Sequence, residues 1–284
     1  MTVSAPIPAT ARSARRPRIR PGVFLAGVFL LALFIAAVGP GLVTGSSPLA
    51  VNLSATLQSP RWGHIFGTDA SGRDVYTRVV YGARTSLLIG LGATTFAMTA
   101  GVLLGWAAGL GGRFADAAIG RLLEVLFAVP GLLTAMVFVA VFGPGVWIQT
   151  IAVALAAAPG YARLARGQIL AVRGSGYVEA ARTLGHSRLR VTLRHILPNA
   201  LRPLTVVATL GLGQAVVWAG ALSFLGLGVA PPAPEWGAML NDGRDLVTQA
   251  WWLEVFPGLA VVGVALAATA LGRHVQQRLD GRAA

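Results

Sequence analysis

Apolar runs long enough to cross a bilayer recur along the chain, and they constrain its fold more than any other feature. They cover residues 22–38, 85–110, 122–142, 146–158, 204–227 and 252–271. A helix rises about 1.5 Å per residue and needs about 20 residues to span a hydrocarbon layer of roughly 30 Å. The run at 146–158 is short, so its helix is expected to continue past Pro159 and Gly160 to Leu164, kinked at the proline. Within a bilayer every backbone N–H and C=O must find its partner inside a helix or a closed barrel. Barrel strands would alternate apolar and polar residues over segments of about ten, and these runs are continuous. The fold expected is all-α, a polytopic membrane protein with six transmembrane helices. Only 12% of residues are charged, against about 25% in soluble domains.

Charge orients the helices. All 23 basic residues are arginine. They sit between the apolar runs rather than along one domain, which favours membrane orientation over nucleic-acid binding, despite a formal charge of +13. With the N-terminus in the cytoplasm, 18 arginines fall on the inner side. The outer five are Arg61, Arg73, Arg78, Arg84 and Arg244. Residues 1–21, with Arg12, Arg15, Arg16, Arg18 and Arg20, read as a cytoplasmic basic arm. The run after it exceeds the ~7–15-residue apolar core of a signal peptide and reads as an uncleaved first span. Both termini are then cytoplasmic. The absence of cysteine excludes disulfides and thiolate metal or redox sites. His64, His186, His195 and His274 are scattered, without a metal-binding spacing. No catalytic set stands out. The chain lacks G-x-x-x-x-G-K-[ST], and indeed any lysine, so it supplies no P-loop.

One polar stretch interrupts the apolar pattern on the inner side. From Tyr177 to Pro203 it is long and basic, with eight arginines between Arg163 and Arg202. Glu179-Ala180-Ala181 begins a helical pattern, Gly185 stands where the chain must turn, and a second amphipathic run reaches Ile196. Leu197-Pro198-Asn199 reads as a stop and restart. Glu179-Ala180-Ala181, three residues, Gly185, then Leu197-Pro198 resembles the EAA loop of permease subunits in bacterial ABC importers. His195-Ile196 departs from the usual aliphatic pattern and looks like the peptide/nickel branch. The resemblance implies that a coupling loop over about residues 161–202 docks on a cytoplasmic ATPase, and that 22–284 is the transmembrane domain. Glu179, Ala180, Ala181, Gly185, His195, Ile196, Leu197 and Pro198 are its coupling residues.

A second landmark precedes the second span. Gly67-Thr68-Asp69, Gly72-Arg73-Asp74, Arg78, Gly82-Ala83-Arg84 and Ser86-Leu87 interleave acids and arginines between glycines. Asp69 and Asp74 can pair with Arg73, Arg78 or Arg84 and fix the start of that span. The segment resembles the signature of the C-type subunit among peptide/nickel importer permeases, as do Pro234 to Arg244 and Trp251 to Leu259. Glu124 is the one acid expected within a span, near the start of the third, with Arg121 as an ion-pair partner. Gly101, Gly105 and Gly109 share one helix face and predict close packing. The resemblance implies an unlike second permease, two ATP-binding subunits and an extracytoplasmic binding protein in the plasma membrane. ATP and magnesium would sit on the ATPases, with no cofactor on this chain. It implies import of peptides or nickel-type solutes by alternating access. The rivals are an ion-gradient transporter, which wants ionisable residues near the midplane, and a membrane enzyme, which wants clustered catalytic groups.

Overall fold

A computed structural model describes residues 21–283, and the surroundings of side chains as far as Leu279. All but the last residue of the expected basic arm lies outside the described residues. Helix α1 (Pro21–Val38) is followed by a single turn, Pro40–Val43, and an irregular segment over 44–74. Then come α2 (Val75–Leu110), α3 (Gly112–Ala128), α4 (Gly131–Phe142) and α5 (Val146–Arg173). A short α6 (Gly176–Thr183) leads to α7 (Arg188–Leu227), α8 (Trp236–Gly243) and α9 (Trp252–Ala283). Among the described residues the only β pairing is two isolated bridges, Arg61 with His64 and Thr68 with Asp74.

Each expected apolar run is helical apart from a break at Val129 and Pro130 in the third, and α1, α2, α7 and α9 are individually long and apolar enough to cross a membrane. The pair α3 and α4 makes a fifth crossing only if its members count as one span. The remaining helix, α5, is 28 residues long and carries Arg163, Arg166 and Arg173 in its second half.

Three details differ from the sequence expectation. The third span is not one straight helix: α3 and α4 are bent by 85°. Val129 is extended (φ −96°, ψ 127°), because a residue before proline is pushed out of the helical region. Glu124 therefore lies on α3, with its side chain 63% exposed and 3.1 Å from Arg121, and not inside a straight apolar span. The second span starts at Val75, ten residues early. Its 36 residues make a rod of about 54 Å, so the first turns stand clear of a ~30 Å apolar layer. Finally, Leu197-Pro198-Asn199 does not break the chain. A π-helical turn over Thr192–Ile196 widens the helix just before Pro198. That relieves the clash a proline makes with the preceding turn. Asn199 Nδ2 donates to His195 O at 2.7 Å there.

The bundle is organised on α2 and α5. A Cβ on Gly101 would lie 2.5 Å from Tyr161 Cβ, on Gly105 2.6 Å from Ala165 Cβ, and on Gly109 2.7 Å from Ile169 Cγ2. Both series advance by four in the same direction, so the helices run parallel with backbones in near contact. The small-residue stripe thus has its partner within the chain. Against the other side of α2, α7 runs antiparallel: Gly90 meets Val216 and Thr94 meets Gly211. An alanine-rich core binds the four elements, with Ile89, Ala93, Ala135, Val139, Ala152, Val153, Ala219 and Leu222 buried. The ends of α2 and α5 and the start of α7 thereby gather at one pole. The segment 44–74, α8 and the start of α9 gather at the other.

Candidate functional site

At the first pole α6 and the start of α7 form a compact elbow. Thr183 ends α6, and Gly185 turns the chain with φ 78°, the left-handed conformation that favours glycine. His186 N donates to Ala181 O at 3.2 Å and Gly185 N to Arg182 O at 2.9 Å. These are the two bonds of a Schellman stop, and they explain why the alanine and the glycine belong to one motif. Ser187 caps the next helix through Arg190 N. Val178, Ala181, Val191, Ile196 and Ala200 pack with Ile169 of α5 into a core of their own. Ala181 is buried in it, whereas Ala180 and Glu179 are exposed. Pro198 is exposed, and Leu197 and His195 are half-buried. Leu184 and Leu189 project outward, 77% and 68% exposed, on either side of Gly185. An added Cβ at Gly185 would meet nothing within 4 Å. The elbow is rigid behind and apolar in front.

The second pole draws the external motif into a self-satisfied knot. Asp69 accepts from Ser71 N and Arg73 N through Oδ1, and from Arg73 Nε at 2.6 Å through Oδ2, with Arg78 Nε 3.5 Å away. Asp74 caps α2 through Thr77 N and also meets His64 Nδ1 at 3.0 Å. Thr68 is fully buried, and its carbonyl accepts from Trp252 Nε1. Gly67 and Gly72 both have positive φ, and a Cβ at Gly72 would collide with Asn52 O. The Arg78 side chain, 3% exposed, donates to Pro232 O and lies 3.9 Å from Asp242. Desolvation holds the Asp242 carboxyl above its ordinary range, against the pull of Arg78 and Arg73, although its side chain is 42% exposed. Gly82 leaves room for Trp236, whose Nε1 donates to Val79 O. Arg84 stands apart, exposed and without an ion pair among the described residues.

Several contacts have no signal in the sequence. Glu235, 1% exposed, caps α8 through Gly237 N and Ala238 N and accepts from Ser86 Oγ at 3.0 Å. Fully buried Gln149 donates to Ala219 O and Ser223 Oγ, clasping α5 to α7. Arg166 donates through Nε and Nη2 to the two carboxylate oxygens of Asp116, joining α5 to α3. Arg163 lies over the Phe127 ring at 4.0 Å. Among the described residues no group of three metal-ligating side chains occurs.

A helical membrane bundle with an elbow of this kind at one pole and an ordered knot at the other is an ABC-importer permease. The chain belongs to the family of binding-protein-dependent transport system inner membrane components, whose profile matches residues 101–281. It is 41% identical over 257 residues to the dipeptide transport system permease protein DppC of Alkalihalophilus pseudofirmus, covering 90% of this chain and 84% of that one. It is 40% identical over 256 residues to the probable D,D-dipeptide transport system permease protein DdpC of Escherichia coli, covering 90% and 86%. Among solved structures, an inward-facing form of the MetNI methionine ABC transporter superposes with a TM-score of 0.58 at 19% identity, covering 70% of this chain and 95% of its own. An amino acid ABC transporter determined with histidines gives 0.56 at 17% identity, covering 73% and 95%. These two share the fold.

Proposed function

We propose that this chain is one of two unlike permease subunits of a peptide importer, with di- or oligopeptides as substrates and nickel-type solutes as the alternative cargo. One of two ATP-binding subunits docks on the α6–α7 elbow from the cytoplasm, where both termini lie, and the other docks on the partner permease. An extracytoplasmic binding protein delivers substrate at the knot. The observation that carries the reading is the elbow itself: an apolar front of Leu184 and Leu189 around an open Gly185, on a core continuous with α5 and α7. ATP favours one of two conformations differentially, and the elbow is where that bias enters the membrane domain. Names of relatives at about 40% identity support the peptide class.

The test is co-purification of the ATPases through a tag on this chain, with the partner permease co-expressed. Gly185→Trp fills the open front and Glu179→Arg reverses the single acid of the elbow. Loss or uncoupling of ATPase in these variants, with retention in the native chain, supports the reading. A native chain that binds no ATPase and drives uptake from an ion gradient refutes it.

A further inference from the structure

Beside the elbow a cavity of about 580 Å³ opens between the ends of α2 and α5 and the first turns of α7. Leu110, Val191 and Ile196 give it an apolar floor, and Arg173, Arg182, Arg188, His186 and Thr192 supply the polar lining. Among the described residues no carboxylate lines it. Between Glu124 and Glu235 the chain has a single acid, Glu179. Glu179 pairs with none of these arginines, and among the described residues none of the three makes an ion pair. Arg173 is held in place by Nη1 donating to Gly109 O at 2.9 Å, which leaves four of its N–H donors uncommitted by that bond. His186 adds a second, independent sign. Its Nδ1 is buried without a hydrogen-bond partner, as is Nε2 of His195, whose ring stacks on it at 5.9 Å. Buried polar atoms are rarely left unpaired.

Three exposed guanidiniums and a half-buried imidazole line one space and have no acidic partner among the described residues. We propose that this cavity binds a phosphate group, and that its occupancy clamps the α6–α7 elbow to the ends of α2 and α5. The guanidinium fork matches phosphate oxygens in pairs, and three forks around one centre suit a tetrahedral anion better than a planar carboxylate. The group comes either from the headgroup of an anionic phospholipid or from soluble phosphate. The proposal rests on the importer reading only in taking this pole as the inner membrane face.

The experiment uses the full chain in nanodiscs and reads amide hydrogen exchange over residues 176–191. One arm adds phosphatidylglycerol to phosphatidylcholine discs in phosphate-free buffer. The other titrates inorganic phosphate against discs of phosphatidylcholine alone. Protection in the first arm identifies the lipid as the source, and in the second the soluble anion. Arg182→Gln with Arg188→Gln is expected to weaken the half-saturation point at least about tenfold, one charge-assisted contact's worth. Arg190→Gln with Arg194→Gln removes the same charge from the same stretch outside the cavity and is expected to change nothing. Lysine at 182 and 188 restores most of the binding, which separates charge from folding. Equal weakening by both glutamine pairs, or protection by neither ligand, overturns the proposal. If neither ligand protects and only the 182/188 pair loses co-purifying ATPase, acidic groups of the ATPase fill the cavity: this proposal fails while the importer reading stands. Protection by phosphate in a chain that binds no ATPase supports the phosphate site and refutes the importer reading.

Discussion

Glu235 shows how much a single buried carboxylate can hold together. It satisfies two free N–H groups at the start of α8 and ties them to Ser86 on α2, 149 residues away in sequence. Glu235→Ala removes a cap and a charge-assisted bond at once. It is expected to cost about 3 kcal/mol, read as a lower thermal midpoint of the purified chain in detergent. Asp242 behaves oppositely. Burial outweighs the attraction of Arg78 and Arg73, so its folded-state pKa is raised. The native state then binds its proton more tightly than the unfolded state does. Its contribution is most favourable below the unfolded pKa and falls as pH rises from there through the raised folded value. Asp242→Asn, locked in the uncharged form, is expected to flatten the decline in thermal midpoint as pH rises above the ordinary carboxylate range. An unchanged slope would remove Asp242 from the pH response. Neither residue's role is legible in the sequence, because each depends on a partner brought by the fold from a distant segment. The Asp69–Arg73 pair, four residues apart, is legible for the opposite reason.

Packing at the scale of elements follows glycine and proline more than hydropathy. The stripe Gly101, Gly105, Gly109 is readable as a contact face from spacing alone, but only the structure shows that Tyr161, Ala165 and Ile169 meet it. Gly105→Ala would set a Cβ 2.8 Å from the carbonyl oxygen of Ala162. Backbone cannot swing aside, so a loss of about 1–3 kcal/mol is expected. Gly167→Ala, on the exposed side of α5, meets nothing within 4 Å and should gain up to about 1 kcal/mol from helix propensity. Opposite signs in one thermal-melt series would confirm that contact, not glycine content, decides. Proline is less legible. Pro130 bends its helix by 85°, Pro159 lies inside α5 without ending it, and Pro198 is absorbed by a π-turn. The residue is the same each time. What differs is whether the preceding residue can leave the helical region or the preceding turn can widen, and neither is written in the local sequence.

At the scale of the whole molecule, the charges that are buried sit where they hold structure. Among the described residues Asp69, Arg78 and Glu235 are buried, and all three lie at the second pole, with the knot. An ion-gradient transporter would place such groups along the spans. The elbow is packed on α5, and α7 runs without a break from Arg188 past the core to Gly226. Near that far end Gly237 of α8 lies so close to Gly220 that a Cβ would be 2.6 Å from its carbonyl oxygen. The elbow and the second pole are thus joined through one rod and one tight contact. Docking and transmission can be separated on this basis. Two glycines inserted after Leu197 leave α6, Gly185 and the apolar front untouched, yet they break the rod where the π-turn joins the long helix. The ATPases should still co-purify, while peptide uptake into proteoliposomes at fixed ATP falls at least about tenfold, the loss expected if more than about 1.4 kcal/mol of the coupling free energy fails to cross the break. Uptake unchanged by the insertion would mean that α5, and not α7, carries the motion. Loss of the ATPases themselves would mean that the elbow needs the intact rod to fold.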